Sequence, residues 1–299
     1  MTSPVASPRP RLAPPSEDGG RRPAFVGWRL FPRVLASRLA GFLARIPLPR
    51  FLREPVYLSF ARRYGVNLRE AEFPVEIYRS FSEFFGRRLA ASARVLDPDP
   101  AALLSPADGT VIASGLLEPG GRLRIKGCDY ALPDLLGSAE LAARFAGGSF
   151  VSIYLAPGDY HRFHAPATGR IVEAVRVPGT LLPVKPGWLA SGPGILGKNA
   201  RVASLFETSA GPLGLVAVGA YNVGSIRLLY DPTRAMRTGR RLLHRRYVDG
   251  RAFRRGDEVG RFEMGSALLV LFPAQGIRLE PLGPGARVRV GVRIATVRS

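Results

Sequence analysis

The sequence predicts an α+β protein that is mainly β, an antiparallel sandwich or barrel-like domain behind an N-terminal amphipathic helical module. Two features carry this prediction. After Pro98, short runs rich in Val, Ile, Leu and Tyr alternate with Gly, Pro and Asp turns at near-regular spacing, which is strand texture. Before it, apolar residues recur at steps of three and four, which is helix texture. No internal repeat is visible.

Residues 1–25 hold six prolines and scattered Arg with no apolar core, and read as a disordered tail rather than a secretory signal. Residues 26–97 form the helical module. Trp28, Phe31, Leu35, Leu39, Phe42 and Ile46 line one face of a first helix, with Arg29, Arg33, Arg38 and Arg45 elsewhere on the wheel. Pro47 and Pro49 end it. A second helix is expected from Pro55 to a cap at Gly65, and a third after Ser80-Phe-Ser-Glu83, which matches a capping box. Residues 98–299 form the β-rich domain, with strands expected at 110–114, 122–126, 150–155, 170–177, 201–206, 213–219, 224–230, 258–263, 267–272 and 286–291. One short helix is expected at 139–145, capped by Ser138.

The chain carries 43 Lys and Arg against 23 Asp and Glu, a net charge of +20, and Lys stands only at 126, 185 and 198. Arginine pairs bidentately with phosphate and carboxylate, so a phosphate-bearing partner is expected, and charge alone fits nucleic acid and an anionic membrane equally. Eight Arg and one acid, Glu54, fall between Trp28 and Asn67. Such a segment suits a lipid interface, or else packs on the domain core. Its apolar face is aliphatic, with few aromatics for base stacking, which disfavours nucleic acid. No apolar stretch approaches the ~20 residues of a membrane span. One cysteine, Cys128, rules out an intrachain disulfide framework, and three histidines make a multi-histidine metal site improbable, so no metal is expected.

Two patterns mislead. Gly192-Pro-Gly-Ile-Leu-Gly197-Lys-Asn199 matches a dinucleotide pattern and nearly matches a phosphate loop, but Asn199 stands where the loop needs Ser or Thr, and 200–206 reads as a strand where a helix is required. No nucleophile elbow of the G-x-S-x-G type occurs.

Three distant segments each present a reactive group among turn residues. Ser105-Pro-Ala-Asp108-Gly109 places a carboxylate before a strand. Tyr160-His161-Arg-Phe-His164-Ala-Pro166 places two imidazoles at the end of an apolar strand. Glu263-Met-Gly265-Ser266-Ala267 places a hydroxyl at the head of another. Asp, His and Ser together can form an oriented nucleophile, the carboxylate fixing the imidazole tautomer and the imidazole taking the hydroxyl proton. Taken singly, each is also an ordinary turn residue.

From about Tyr57 onward the sequence resembles the phosphatidylserine decarboxylase family. The resemblance rests on Phe81-Ser-Glu-Phe-Phe85 with Arg88-Leu89, Ser105–Gly109, Lys126-Gly127 with Tyr130-Ala-Leu132, Tyr154-Leu-Ala-Pro157 through Asp159–Pro166, Lys198-Asn199 with Arg201-Val202, Val218-Gly-Ala220 with Val223-Gly-Ser-Ile226, and Gly260-Arg-Phe262 leading into Met264-Gly-Ser266.

The resemblance implies a proenzyme whose Asp108, His164 and Ser266 form a self-cleavage triad and whose His161 serves substrate binding and decarboxylation. Ser266 attacks the Gly265 carbonyl to give an ester, and elimination then leaves a dehydroalanine that hydrolyses to a pyruvoyl cofactor. The products are chains 1–265 and 266–299, which stay associated. Glycine at 265 leaves the strained turn unblocked. The pyruvoyl ketone draws in the electrons left when carbon dioxide departs. Phosphatidylserine is the implied substrate and phosphatidylethanolamine the product. The implied location is peripheral, on the cytoplasmic face of the membrane, with a homodimer as the implied assembly. His161, near its ordinary pKa of about 6.5, is expected to hold or deliver the proton near neutral pH. The family usually carries Thr or Ser after the cleaved serine, and here Ala267 stands there. A lost hydrogen bond of about 1 kcal/mol is expected to slow maturation. A catalytically impaired lipid-binding homologue, or a decarboxylase of another phosphoserine-headed lipid, remains an alternative.

Overall fold

A computed structural model describes residues 39–118, 120–191, 194–220, 226–231, 241–263 and 266–298. The expected tail, the first part of the expected first helix, part of the 224–230 strand, and Gly265 lie outside the described residues.

The helices follow local chemistry. After α1, helical at 39–43 among the described residues, α2 (Arg50–Tyr64) begins five residues before the expected start, so Pro55 sits inside it. Proline forfeits a helical hydrogen bond there, and tertiary packing carries the helix instead. Tyr57 and Ala61, one turn apart, are buried against Val75, Tyr78 and Phe84, and Gly65 closes the helix in the left-handed region at φ 68°. The helix α3 (Phe81–Phe85) is capped by Ser80, whose hydroxyl accepts from Glu83 N, while the Glu83 carboxylate accepts from Arg79 N at 2.8 Å rather than from the cap itself. Four short helices follow: α4 (Leu132–Leu136), α5 (Ala139–Ala143), α6 (Pro186–Ser191) and α7 (Ile195–Lys198). Among the described residues no helix is long and apolar enough to cross a membrane.

The strands are β1 (Ala102–Leu104), β2 (Gly109–Leu116), β3 (Arg122–Ile125), β4 (Cys128–Ala131), β5 (Ser149–Leu155), β6 (Arg162–His164), β7 (Gly169–Val177) and β8 (Arg201–Thr208). They continue as β9 (Gly211–Gly219), β10 (Ile226–Leu228), β11 (Leu243–Phe253), β12 (Glu258–Phe262), β13 (Ser266–Phe272), β14 (Ile277–Leu279), β15 (Arg287–Val288) and β16 (Arg293–Val297). Eight form one antiparallel sheet in the order β11-β7-β8-β9-β13-β5-β2-β15. Two three-stranded sheets, β10-β12-β6 and β1-β16-β14, accompany it, together with the β3-β4 hairpin. The hairpin turns on Lys126 and Gly127, both at positive φ, as a two-residue turn between twisted strands requires.

The large sheet stays open, so the barrel half of the expectation does not hold. Its edges, β11 and β15, do not pair. β15 is two residues long where 286–291 was expected, and β11 bulges between Arg246 and Arg251, so neither edge offers a regular ladder for closure. The architecture is layered instead. β13 lies at the sheet's centre, and its side chains alternate between two cores. Leu268, Val270 and Phe272 pack with residues of β6, β10 and β12, and Ala267, Leu269 and Leu271 pack under α4 to α7. Burial on both faces explains why 267–272 is a continuous apolar run.

The pattern ending at Asn199 is structural. Asn199 is fully buried, its amide bonds both the N–H and the carbonyl of Leu182 at 2.8 Å, and it donates to Gly219 O at 2.8 Å. Gly219 in turn stands opposite Ser266. The strand expected after it is present as β8.

Candidate active site

Ser266 begins β13 between Leu155 of β5 and Gly219 of β9. Alternation puts its side chain on the face of Leu268, the face covered by β6, β10 and β12. It is fully buried, and its Oγ has no hydrogen-bond partner among the described residues. An orphaned hydroxyl of this kind costs about 1–3 kcal/mol and calls for a reason. A nucleophilic role would supply one, because an attacking hydroxyl must stay free of partners. The residues present therefore fit a pyruvoyl precursor.

Ala267 faces the other way, into the second core beside Leu269, so a hydroxyl there would lie on the opposite face from Ser266.

His164 ends β6, a strand of its own, rather than the apolar strand β5. Its Nδ1 meets Gly256 O at 2.8 Å and its Nε2 meets the Tyr160 hydroxyl at 3.1 Å. A carbonyl only accepts, so Nδ1 carries the proton and Nε2 is the free base, accepting from Tyr160. Burial pushes the His164 pKa down, against the opposing pull of the Gly256 carbonyl and of the Glu258 and Asp108 charges. The ring is thereby held neutral, as a base must be.

Asp108 does not hold this tautomer, contrary to the expected carboxylate-to-imidazole bond. Its Oδ1 accepts from Val290 N at 2.9 Å and from Arg94 Nε at 3.0 Å, and its Oδ2 accepts from Arg94 Nη2. Arg94 also grips Glu70 at 2.8 Å. Burial opposes the Arg94 charge, yet these bonds outweigh it and raise its pKa. The Asp108 segment and the histidine are joined by backbone, His164 N donating to Pro106 O at 2.8 Å. Gly109 lets this turn close onto β5, since a Cβ there would stand 2.4 Å from Tyr154 O.

His161 lies in the loop between β5 and β6, fully buried and stacked on Phe85 with ring centroids 4.0 Å apart. Its Nε2 donates to Ala156 O at 3.0 Å, and Nδ1 has no partner among the described residues. Burial, reinforced by the Arg87 charge, pushes its pKa down to about 3. The expectation of proton exchange near neutral pH is corrected accordingly: in the uncut chain His161 is a neutral imidazole. Asp159 holds the loop, accepting from Ala156 N at 2.7 Å and from Arg287 at 2.6 Å.

Several supporting residues carry no sequence signal of their own. Arg94, Arg87 and Gly256 sit in ordinary Arg- and Gly-rich contexts, and only topology reveals their partners. Tyr160, inside the histidine segment, was within reach of a closer reading. Glu263, three residues before Ser266, binds Arg227 at 2.6 Å and Arg45, tying the turn after α1 to the segment that leads to the hydroxyl.

The family model described as phosphatidylserine decarboxylase matches residues 81–296, which include Asp108, His161, His164, Gly265 and Ser266. A phosphatidylserine decarboxylase proenzyme of Anaeromyxobacter sp. (strain K) is 41% identical over 266 residues, covering 88% of this chain and 94% of the relative. Proteins of the same name from Bordetella pertussis and Pseudomonas aeruginosa are 41% and 40% identical over 281 and 278 residues, each covering 89% of this chain. They cover 91% and 94% of those relatives.

The depressed His161 pKa has a consequence for stability. The unfolded chain binds a proton at this position below about pH 6.5, and the folded chain does not until about pH 3. Folding stability therefore falls as pH drops through that window. In an uncut Ser266→Ala background, His161→Phe should make the fall shallower by up to about 1.4 kcal/mol per pH unit, read by urea unfolding between about pH 7 and about pH 5. Parallel profiles would contradict the assignment.

Proposed function

The chain belongs to the phosphatidylserine decarboxylase family, and on that premise we propose that it decarboxylates phosphatidylserine to phosphatidylethanolamine with a pyruvoyl group made from its own Ser266. The observation that carries this reading is the buried Ser266 hydroxyl at the head of β13, without a partner among the described residues, on the face covered by the sheet that bears His164.

In the proposed processing, neutral His164 takes the Ser266 proton at Nε2, with Tyr160 beside it. Serine Oγ bonds to the Gly265 carbonyl carbon and the Gly265–Ser266 C–N bond breaks, leaving an ester. Loss of the Ser266 α-proton then expels the Gly265 carboxylate. The resulting dehydroalanine takes up water and releases ammonia. Asp108 acts at one remove, fixing Arg94 and the Val290 backbone so that the turn below His164 holds its shape. The group so formed supplies an electron sink for an amine-bearing substrate. His161 and Phe85 form a dry wall beside the loop, and the His161 Nδ1 lone pair is free to accept a hydrogen bond there.

The helical module is proposed to meet the membrane. Leu39, Phe42, Leu43, Ile46, Phe51 and Leu52 are exposed, while the opposite face of α2 packs inward. Exposed Arg50, Arg62 and Arg63 flank them. Apolar side chains beside guanidinium groups match a lipid interface with anionic headgroups.

Intact mass of the purified protein tests the processing. The wild type should give two chains with a pyruvoyl-blocked residue 266, whereas Ser266→Ala and His164→Gln should give one uncut chain. Asp108→Asn should slow cutting by at least about tenfold, the loss of a charged hydrogen bond being worth about 1.5–3 kcal/mol. An active wild type with an unbroken chain would defeat the reading. For the membrane, Phe42→Glu with Phe51→Glu should lower binding to vesicles containing anionic lipid by at least about tenfold while cutting proceeds, each burial being worth about 1.5–3 kcal/mol. Unchanged vesicle sedimentation would refute it.

A further inference from the structure

A cleft of about 590 Å³ lies between the helical module and the β10-β12-β6 sheet, and six of its lining residues are arginines: Arg45, Arg87, Arg88, Arg162, Arg227 and Arg261. Three of these are already answered. Arg162 forms a two-pronged pair with Glu258 at 2.8 Å, and Glu263 takes both Arg45 and Arg227. Arg87, Arg88 and Arg261 have no carboxylate in salt-bridge range among the described residues.

Arg87 is the telling one. It is 3% exposed, and a buried guanidinium is costly unless its donors are met. Its Nη2 reaches the carbonyls of Gly158 and Asp159 at 3.2 and 3.4 Å, but its Nε and Nη1 have no partner among the described residues. Unsatisfied donors on a buried, charged guanidinium call for an acceptor, and an anion entering the cleft that Arg87 lines would supply one. Arg261 faces the same cleft with its own charge disfavoured by burial and by its neighbours Arg162 and Arg227, so an incoming anion relieves repulsion already present. The cleft is also bordered by Phe73 and Ile77, both exposed, and by Phe262 and Glu263 just upstream of Ser266. Arg87 is close enough to bear electrostatically on His161.

We propose that this cleft is a phosphodiester-binding subsite, in which Arg87 and Arg261 hold the phosphate of the lipid headgroup while Phe73 and Ile77 meet the start of its apolar tails. The inference rests on the decarboxylase reading for the identity of the lipid, but the anion site itself stands on the cleft's own residues. Held there, the phosphate fixes one end of the headgroup, and the amine and carboxylate at its other end are restricted to the space within reach of the loop bearing His161.

The test separates the two readings. In the uncut Ser266→Ala protein, glycerophosphoserine should bind by calorimetry, inorganic phosphate should compete more weakly, and free L-serine should not bind at the same concentration. Arg87→Gln and Arg261→Gln should each weaken glycerophosphoserine at least tenfold, and Arg87→Lys should restore only part, since a lysine cannot present two donors in a plane. Thermal melts identify any variant that has lost its fold, and Arg261→Gln, at a half-buried position, carries the test if Arg87→Gln does. In otherwise wild-type matured enzyme, the same changes should raise KM for a short-chain phosphatidylserine at least tenfold with kcat within about threefold.

Arginine-dependent binding in a protein that releases no carbon dioxide from the lipid would leave the anion site standing and remove the reaction. Turnover with unchanged KM in both variants would overturn the subsite and leave the reaction intact. Inorganic phosphate binding as tightly as glycerophosphoserine would overturn the headgroup assignment.

Discussion

The organising constraint is a hydroxyl that finds no hydrogen-bonding partner among the described residues, at the start of a strand that is buried on both faces. Such a group survives only where the surrounding structure has no freedom to satisfy it. β13 supplies that rigidity, locked between β5 and β9 over its length and wedged between two apolar cores. Gly219, opposite Ser266, is itself pinned by Asn199, so the serine's neighbour on β9 is fixed by a buried side chain outside the strand.

From that point the site is assembled by layers rather than by one continuous motif. The small β10-β12-β6 sheet packs on the serine's face of β13 and bears His164, whose protonation pattern is set by a backbone carbonyl and a tyrosine. The Asp108 turn supports that sheet through the bond from His164 N to Pro106 O, and is itself held by Arg94. The helical module contributes Phe85 to the wall around His161, Arg87 to the cleft, and Arg45 to the Glu263 clamp. Gly158 lets α2 settle directly on the histidine loop, where a Cβ would stand 2.0 Å from Tyr64 O. One face of α2 is thus packed toward the histidine loop, while its other face exposes Phe51, Leu52 and Val56 beside charged residues.

Much of this was legible in the sequence, and the gaps have physical causes. Buried strands such as β5, β9 and β13 read clearly because both faces select apolar residues. β11 was missed because it is a solvated edge: Arg245, Arg246 and Val248 are exposed, and the strand shows no apolar stripe. β1, β14 and β16 are three to five residues long, too short to display a period. The start expected for α2 at Pro55 moved back to Arg50 because packing of Tyr57 and Ala61 outweighed a lost hydrogen bond at Pro55. At the site, the reactive residue types were visible but their partners were not. Sequence offers a carboxylate, imidazoles and a hydroxyl, and chain order does not reveal that the carboxylate is taken by Arg94 or that a glycine carbonyl orients the imidazole. Nor does it reveal that His161 is desolvated until it no longer titrates near neutrality.

The most direct measurement is the rate of chain cutting in freshly synthesised precursor as a function of pH, followed by intact mass. A neutral His164 whose pKa lies below the ordinary imidazole value predicts a rate that is level from about pH 8 down to about 6.5 and declines only beneath it. A rate already halved at or above about pH 6.5 would contradict a buried, neutral histidine as the base that frees the Ser266 hydroxyl.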